Sequence, residues 1–401
     1  MRTRQRAVVW SMAVFWSVPV NLATTSLAVL IGRTGTAFEV GMVTTAHFLG
    51  LLVFAPLWGA VADITGRRRG VLVATGVLGT ATLAVLAGVR GVWGPITLRG
   101  LYAAFFAAFP AVMLAVVSEQ GGDAGRGRAL GEFNSLRSVG FAAGQLGAGV
   151  LLGLASWTEI FVVLAAVNGL GTVAAVFVVD PADTGGTALT LRNVLAEARS
   201  RLFPAAGDRA HLTESGLHWV YVAVVCQALT FFGILSLAPV YLTGPVGVSE
   251  FVMGAFLALN PASRTFGMYA FGWAVDAVGR TPVLAGGLVA TGGFAVGLAV
   301  ATVPATPLGR MLVTGAAFLV IAAAYSATSI GSQSFIGDVA DVERESELMG
   351  LRSTMLGVGG LVGPGVVGVL VGLVGYTAAF VAIGGVSVAG VLAVRRAVEP
   401  A

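Results

Sequence analysis

The chain of 401 residues contains no lysine, a single cysteine and three histidines, and only 10% of it is charged. Soluble domains carry about 25% charged residues. With 57% hydrophobic residues and a mean hydropathy of +0.91, too little polar surface remains to cover a particle in water. A cytosolic, secreted or disordered protein is thereby excluded. The lone Cys226 rules out a disulfide framework and a cysteine-based zinc site. His47, His211 and His218 are scattered, and neither an HExxH nor a GxSxG pattern occurs, so no enzyme and no metal centre is expected. The stretch 363–368 spells GxGxxG, but it lies inside an apolar run and follows no strand, so no nucleotide or other cofactor is expected. The net charge of +4 would suggest nucleic acid in a soluble chain. Here it sets membrane orientation instead.

Charges cut the chain into apolar windows at 7–32, 40–62, 70–89, 100–118, 138–158, 160–179, 215–249, 281–309, 311–337 and 353–394. Each suffices for a helix that crosses a bilayer, which takes about 20 apolar residues. The last window holds two crossings with a break near Gly375-Tyr376, and 251–275, apolar except for Arg264, adds one more. The expectation is an all-α integral membrane protein of twelve transmembrane helices, with no barrel alternation. The 26 uncharged residues of 7–32 are too many for a cleaved leader, so the first span is expected to stay as an anchor.

Arginine sets the orientation. With a cytoplasmic N-terminus, Arg67–Arg69, Arg126, Arg128, Arg192, Arg199, Arg201, Arg209, Arg280, Arg344, Arg395 and Arg396 share its side, against Arg33, Arg90 and Arg310 opposite. The positive-inside rule then places both termini in the cytoplasm, in a plasma (inner) membrane. Residues 180–214 break the hydrophobic pattern; Pro181, Gly185 and Gly186 mark a connector. Leu191, Val194, Leu195, Ala198 and Leu202 recur within it at helical spacing. Two readings stand there: an amphipathic helix on the membrane surface, or a solvated linker helix. The expected organisation is a six-helix bundle over 1–179, this linker, and a second bundle over 215–401.

A repeat relates the bundles. Gly59-x-x-x-Asp63-x-x-Gly66-Arg67-Arg68-Arg69 follows span 2, and Gly272-x-x-x-Asp276-x-x-Gly279-Arg280 follows span 8. Gly131, Gly140 and Gly144 of span 5 recur as Gly350, Gly359 and Gly363 of span 11. Internal duplication of this kind marks many secondary transporters. Six plus six spans, a charged central loop and the Gly-x-x-x-Asp-x-x-Gly-Arg-Arg signature resemble the major facilitator superfamily across the whole chain. The second copy departs from the signature at Thr281 and Pro282. Spans 5 and 11 resemble the glycine motif of its multidrug and metabolite exporter (antiporter) branches, although Gln145 stands where proline is expected. Gly363-Pro364 restores the Gly-Pro pair.

Asp63 ends its helix where the dipole repels a carboxylate, so a stabilising partner is expected. The resemblance implies that Asp63 and Asp276 latch the cytoplasmic mouth through helix N-termini of spans 11 and 5. Gly59 and Gly66 are expected to permit close approach and sharp turns, and Gly272 and Gly279 hold the matching positions of the second copy. Arg67 and Arg68 are expected to pair with Glu119 or with the acidic cluster at 338–347. Together with Arg280, Gly140, Gly144, Gly359, Gly363 and Pro364, these form the expected conformational machinery.

Intramembrane ionisable groups are functional candidates by default. His47, Arg99 and Arg264 qualify, while Arg137 and Arg352, nearer the helix ends, are expected to snorkel to phosphates. No acid lies near the middle of a span. The resemblance further implies that spans 1, 4, 7 and 10 line a cavity, which nominates Trp16, Asn21, Tyr102, Gln227, Phe231, Tyr325 and Ser329. The expected function is alternating-access secondary transport by one chain in the lipid bilayer: proton-coupled efflux of small amphipathic molecules, with His47 as a candidate proton carrier. An alternative is a carrier for an organic or inorganic anion using Arg99 and Arg264. A transport-inactive sensor of the same fold is a remote third reading.

Overall fold

The computed structural model describes residues 3–180, 189–202, 216–340 and 344–398. The connector residues Pro181, Gly185 and Gly186, with Arg209 and His211, lie outside them, as does part of the acidic cluster at 338–347. The described residues are helical, without strands. In chain order the helices are α1 (Thr3–Gly32), α2 (Ala37–Thr65), α3 (Arg68–Leu86), α4 (Trp93–Phe106), α5 (Ala108–Leu154), α6 (Trp157–Ala175), α7 (Leu191–Leu202), α8 (Leu217–Tyr241), α9 (Glu250–Val278), α10 (Arg280–Ala299), α11 (Pro307–Val339) and α12 (Glu345–Val398). A π-helical turn, Leu242–Val246, extends α8.

Two of these helical runs double back: α5 completes the span begun by α4 before its second arm, and α12 holds two arms. A straight helix would separate Phe109 from Phe133 by about 36 Å, yet their rings lie 5.7 Å apart. α5 therefore doubles back. Its neighbour α1 shows the same: Arg99 of α4 meets Val20 and Thr24, and Phe109 meets Trp16, which is an antiparallel course. Glu132 then meets Arg6, and Gly140 and Gly144 meet residues 14–22, a parallel course. In α12 the break is Gly375, at φ +77°. Tyr221 bonds Leu348 and Ala228 abuts Gly359 before it, whereas Thr230 bonds Ile383 and Cys226 abuts Gly390 after it.

Nine helices among the described residues are long and apolar enough to span a membrane, with α12 counted once. α9 and the second arms of α5 and α12 are further segments of spanning length. The helices also run past the charges that bound the apolar windows: α4 begins at Trp93, and α5 is helical through Glu119, Arg126 and Arg128. Backbone hydrogen bonding does not stop where a side chain turns polar. Charge thus marks where the bilayer ends, not where the helix does.

Helix starts follow a rule. α2, α6, α9 and α11, which begin spans 2, 6, 8 and 10, open on side-chain caps: Thr36 with Glu39, Ser156 with Glu159, Ser249, and Thr306 before Pro307. The reciprocal Ser156–Glu159 bonds are a capping box. α3 and α10 lack side-chain caps and follow Gly66 (φ +64°) and Gly279 (φ +90°). A Cβ is disfavoured there, so the two signature glycines turn the chain into the next span.

By their internal packing the residues form two compact units, one of Met1–Leu27 with Ala46–Phe203, the other of Ala28–Thr45 with Pro204–Ala401. In the first, Val194 and Ala198 of α7 bury against Leu57, Ala60, Val61 and Ile64 of α2, while Leu191 and Leu195 stay exposed. The linker helix is thus docked by one stripe. In the second, Leu217, Tyr221, Leu284, Leu288, Phe335 and Val394 centre an apolar core. Segment 28–45 packs there too: Thr45 donates to the Leu361 carbonyl at 2.9 Å, and Gly368 approaches Ala37 and Phe38 too closely to admit a side chain.

Candidate functional site

The first unit buries the Arg99 guanidinium. Arg99 has no exposed surface, on the face of α4 that meets α1. Its Nη2 donates to Thr24 Oγ1 at 2.8 Å and to the Val20 carbonyl at 3.2 Å, while Nε and Nη1 have no hydrogen-bond partner. The Tyr102 ring lies 5.4 Å from its Cζ, a cation–π contact. A charged group with two unused donors, held away from water, is costly to keep. His47 is buried beside the Phe48 and Phe106 rings, and its Nδ1 has no partner.

Asn168 of α6 organises the neighbouring contacts. It accepts from the Tyr102 hydroxyl at 3.1 Å and donates to Thr80 Oγ1 and the Gly76 carbonyl, while its own carbonyl receives Trp16 Nε1. Sequence reasoning overlooked this residue. Its signal was there, a lone amide within the apolar window 160–179. Tyr102 and Trp16, candidates for cargo contact, are engaged in this network. Asn21 likewise donates to the Phe141 carbonyl of α5, an interhelical tie.

The second unit has its own cluster. Arg264 Cζ sits 4.4 Å from the Tyr325 ring centre, and the Tyr325 ring is tilted against Phe231 at 4.9 Å between centres. Asn260, one turn before Arg264, accepts its Nη2 at 3.3 Å. Gln227 lies one turn before Phe231 and is buried. Arg264 Nε, Asn260 Nδ2 and Gln227 Nε2 are buried without partners, and all three are donors. Ser329 is buried on α11 and accepts from Ser332 Oγ and Gln333 Nε2 through its carbonyl. Asn260 was the other residue missed.

Two arginines depart from the expectation of snorkelling. Arg352 is buried, and its Nε donates to Ser332 Oγ at 2.7 Å. Arg137 lies among the rings of Phe109, Phe133 and Phe141 at 5.5 to 5.8 Å. Aromatic faces and a hydroxyl stabilise these cations inside the protein, so neither has to reach for lipid.

The signature residues divide by task. Arg68 forms a forked pair with Glu119 at 2.5 and 2.6 Å, as the sequence suggested, with Asp63 and Asp180 within electrostatic reach. Arg280 pairs with Asp338 and covers the Phe335 ring at 4.5 Å. Arg67, Asp63 and Asp276 are exposed, and Gly59 is buried. A side chain at Gly272 would meet nothing within 4 Å, so packing does not require glycine there.

The span-5 and span-11 glycines are contact points. A Cβ at Gly140 would lie 2.7 Å from Ser17 Cβ and 2.8 Å from the Val14 carbonyl, and one at Gly144 would overlap Val18. At Gly359 it would meet Ala228 and Leu229, and at Gly363 the Leu229 carbonyl at 2.5 Å. Pro364 follows, its carbonyl against Gly41. Gln145, in place of the proline, accepts from Thr25 Oγ1 at 2.5 Å and so adds an interhelical bond to this seam. Gly131 and Gly350, the remaining repeat pair, have open space.

Comparison with known proteins adds three findings. The family described as Major Facilitator Superfamily matches residues 8–313 and, again, 220–401. The puromycin resistance protein pur8 of Streptomyces alboniger is 33% identical over 140 residues, which is 34% of this chain and 27% of that protein. The chain matches little more than a quarter of this relative's length. Among solved structures, the nucleoside transporter NupG (D323A mutant) superposes with a TM-score of 0.79 at 14% identity, over 99% of this chain and 100% of NupG. The human organic anion transporter MFSD10 (TETRAN) gives 0.68 at 17% identity, over 98% and 99%. At such identities the superpositions speak to fold.

Proposed function

Because the chain belongs to the major facilitator superfamily, and is therefore a multi-pass membrane transporter of small molecules, we propose that it exports small amphipathic compounds by alternating access, coupled to protons. The observation that carries the export reading is the glycine seam, Gly140 and Gly144 on α1 and Gly359 and Gly363 on α8. It gives physical substance to the exporter-type motif, and the kinship to a puromycin resistance protein supports the same direction. We place the arginine-rich end, with both termini, in the cytoplasm, in the plasma membrane, on the charge asymmetry. One chain suffices for this function, as two bundles joined by a linker.

His47 is the proposed proton carrier, since its buried Nδ1 has no partner to hold one tautomer. The test uses proteoliposomes with a trapped pH dye. Adding puromycin or a lipophilic cation on the substrate side is expected to drive proton counterflow, and His47→Ala to cut that flux at least tenfold. Full flux in His47→Ala removes the histidine from coupling. Substrate movement with no proton flux in the unmodified protein removes coupling itself.

A second reading, an anion carrier, is favoured by the donor-only orphans around Arg264. Arg264 Nε, Asn260 Nδ2 and Gln227 Nε2 suit a ligand rich in acceptors, such as a carboxylate. A ligand at about 100 times its dissociation constant adds roughly 2.7 kcal/mol of stability. If this reading holds, a panel of organic anions raises the melting temperature and Arg264→Ala abolishes the rise. Stabilisation confined to lipophilic cations or neutral amphiphiles rejects it.

A further inference from the structure

A pocket of about 610 Å³ opens at the arginine-rich end of the first unit, away from Arg99 and His47. It forms where the start of α1, the start of α3 and the residues after α6 converge, and its polar lining is Arg4, Gln5, Arg69 and Asp180. Val176, Phe177, Val178 and Val179 supply the apolar wall, of which Phe177 and Val179 are exposed. Several contacts fix it. Gln5 Nε2 donates to the Phe177 carbonyl at 2.9 Å, Arg4 lies over the Phe177 ring at 5.7 Å, and the Arg69 backbone N–H donates to Asp180 Oδ1 at 2.7 Å.

Two features define what would fit. Arg4 and Arg69 against Asp180 leave one net positive charge in the pocket, the complement of one phosphodiester. Gln5 Oε1, held by the bond its own amide makes, is buried without a partner and can only accept. The ligand therefore needs an acidic phosphate and, beside it, a hydroxyl donor. The position adds a third constraint. Apolar spans begin immediately beyond these residues, at Ala7 in α1 and Gly70 in α3, so the pocket sits where headgroups meet acyl chains. Exposed Phe177 and Val179 offer those chains a surface.

We propose that this pocket is a binding site for a phospholipid whose headgroup is an anionic phosphodiester bearing a hydroxyl, as in phosphatidylglycerol. Arg4 and Arg69 take the phosphate, Gln5 Oε1 accepts the headgroup hydroxyl, and the acyl chains run along Phe177 and Val179. The bound lipid would tie together the ends of spans 1, 3 and 6.

The test is thermal unfolding of the purified full-length protein in a neutral detergent against added lipid. Phosphatidylglycerol is expected to raise the melting temperature saturably. Phosphatidylcholine, and soluble glycerol 3-phosphate at the same concentration, should leave it unchanged. Phosphatidylmethanol, which keeps the phosphodiester but lacks the hydroxyl, should bind more weakly, and Gln5→Leu should erase that difference. Removing both arginines in R4A/R69A should raise the half-saturating concentration about 30-fold, at about 1 kcal/mol per basic residue near the surface. R395A/R396A removes equal charge elsewhere and should change nothing. An equal response to phosphatidylcholine, or an intact response in R4A/R69A, overturns the proposal. If glycerol 3-phosphate matches phosphatidylglycerol, the site takes soluble anions and the lipid assignment fails. The phosphatidylmethanol comparison uses the unmodified protein, so it decides the matter of the hydroxyl even where a variant folds poorly.

Discussion

Gly144→Val is expected to destabilise the protein by about 3 kcal/mol, at the upper end of the range for overpacking a tight contact. The obstacle is backbone. The new Cβ would overlap the Val18 carbonyl and meet Leu22 N at 3.2 Å and Asn21 Cβ at 3.3 Å, so no side-chain rotation relieves it. α1 and the second arm of α5 would have to separate, breaking the Thr25–Gln145 and Asn21–Phe141 bonds along the same seam. Gly363→Val should behave alike, with the Leu229 carbonyl 2.5 Å and Leu229 Cα 3.0 Å from the added carbon. Gly131→Ala and Gly350→Ala are the controls: both sites are open, and alanine in a helix is favoured over glycine by up to about 1 kcal/mol. Thermal unfolding of the four variants in one detergent checks this. If Gly144→Val melts with the unmodified protein while Gly131→Ala melts early, the division of the repeat into seated and open glycines is wrong.

Arg99→Met is expected to separate stability from function. Methionine nearly fills the volume of the arginine stem and removes a buried charge whose Nε and Nη1 have no partners. Replacing buried charge by apolar side chains of similar size is neutral or stabilising by about 1–4 kcal/mol. The variant should therefore melt no lower than the parent. Transport should nevertheless fall at least a hundredfold, because a cation kept at such cost against Thr24 and Tyr102 is retained for what it does in the cycle. Arg99→Lys keeps the charge but loses the fork, and an intermediate rate is expected. Paired melting curves and proteoliposome uptake decide between the roles. A destabilised Arg99→Met would make the arginine part of the scaffold, and a stable, fully active one would leave it without a role.

Most of the fold was legible because the bilayer imposes it. Charge-free windows, the break at Gly375 and the turn glycines Gly66 and Gly279 all follow from the need to satisfy backbone groups in hydrocarbon. The Arg68–Glu119 pair could also be read, since few acids stand at that end to choose from. What escaped depended on side-chain direction. Arg352 and Arg137 lie close enough to helix ends to reach lipid phosphates, and only the positions of Ser332 and three phenylalanines reveal that they turn inward. Asn168 and Asn260 escaped because an uncharged amide in an apolar run resembles any interhelical tie until its partners are known. The helical extension through Arg126 and Arg128 was missed because charge locates the membrane surface rather than the end of a helix.

The break in α12 has a mechanical consequence. Its two arms are joined at Gly375 with no loop of any length between them, so their ends stay together there whatever the tilt of each arm. The first arm carries Gly359, Gly363 and Pro364, seated on α8 and segment 28–45. The second presents Val381, Val388 and Leu392 outward. A bilayer thinner or thicker than the span is expected to retilt that outer arm to match its hydrophobic length, and because the arms meet at Gly375 the end of the first arm, which carries the glycine seam, moves with that shared point. Transport is therefore expected to change with membrane thickness, which rates in proteoliposomes of phosphatidylcholines of increasing acyl length would show.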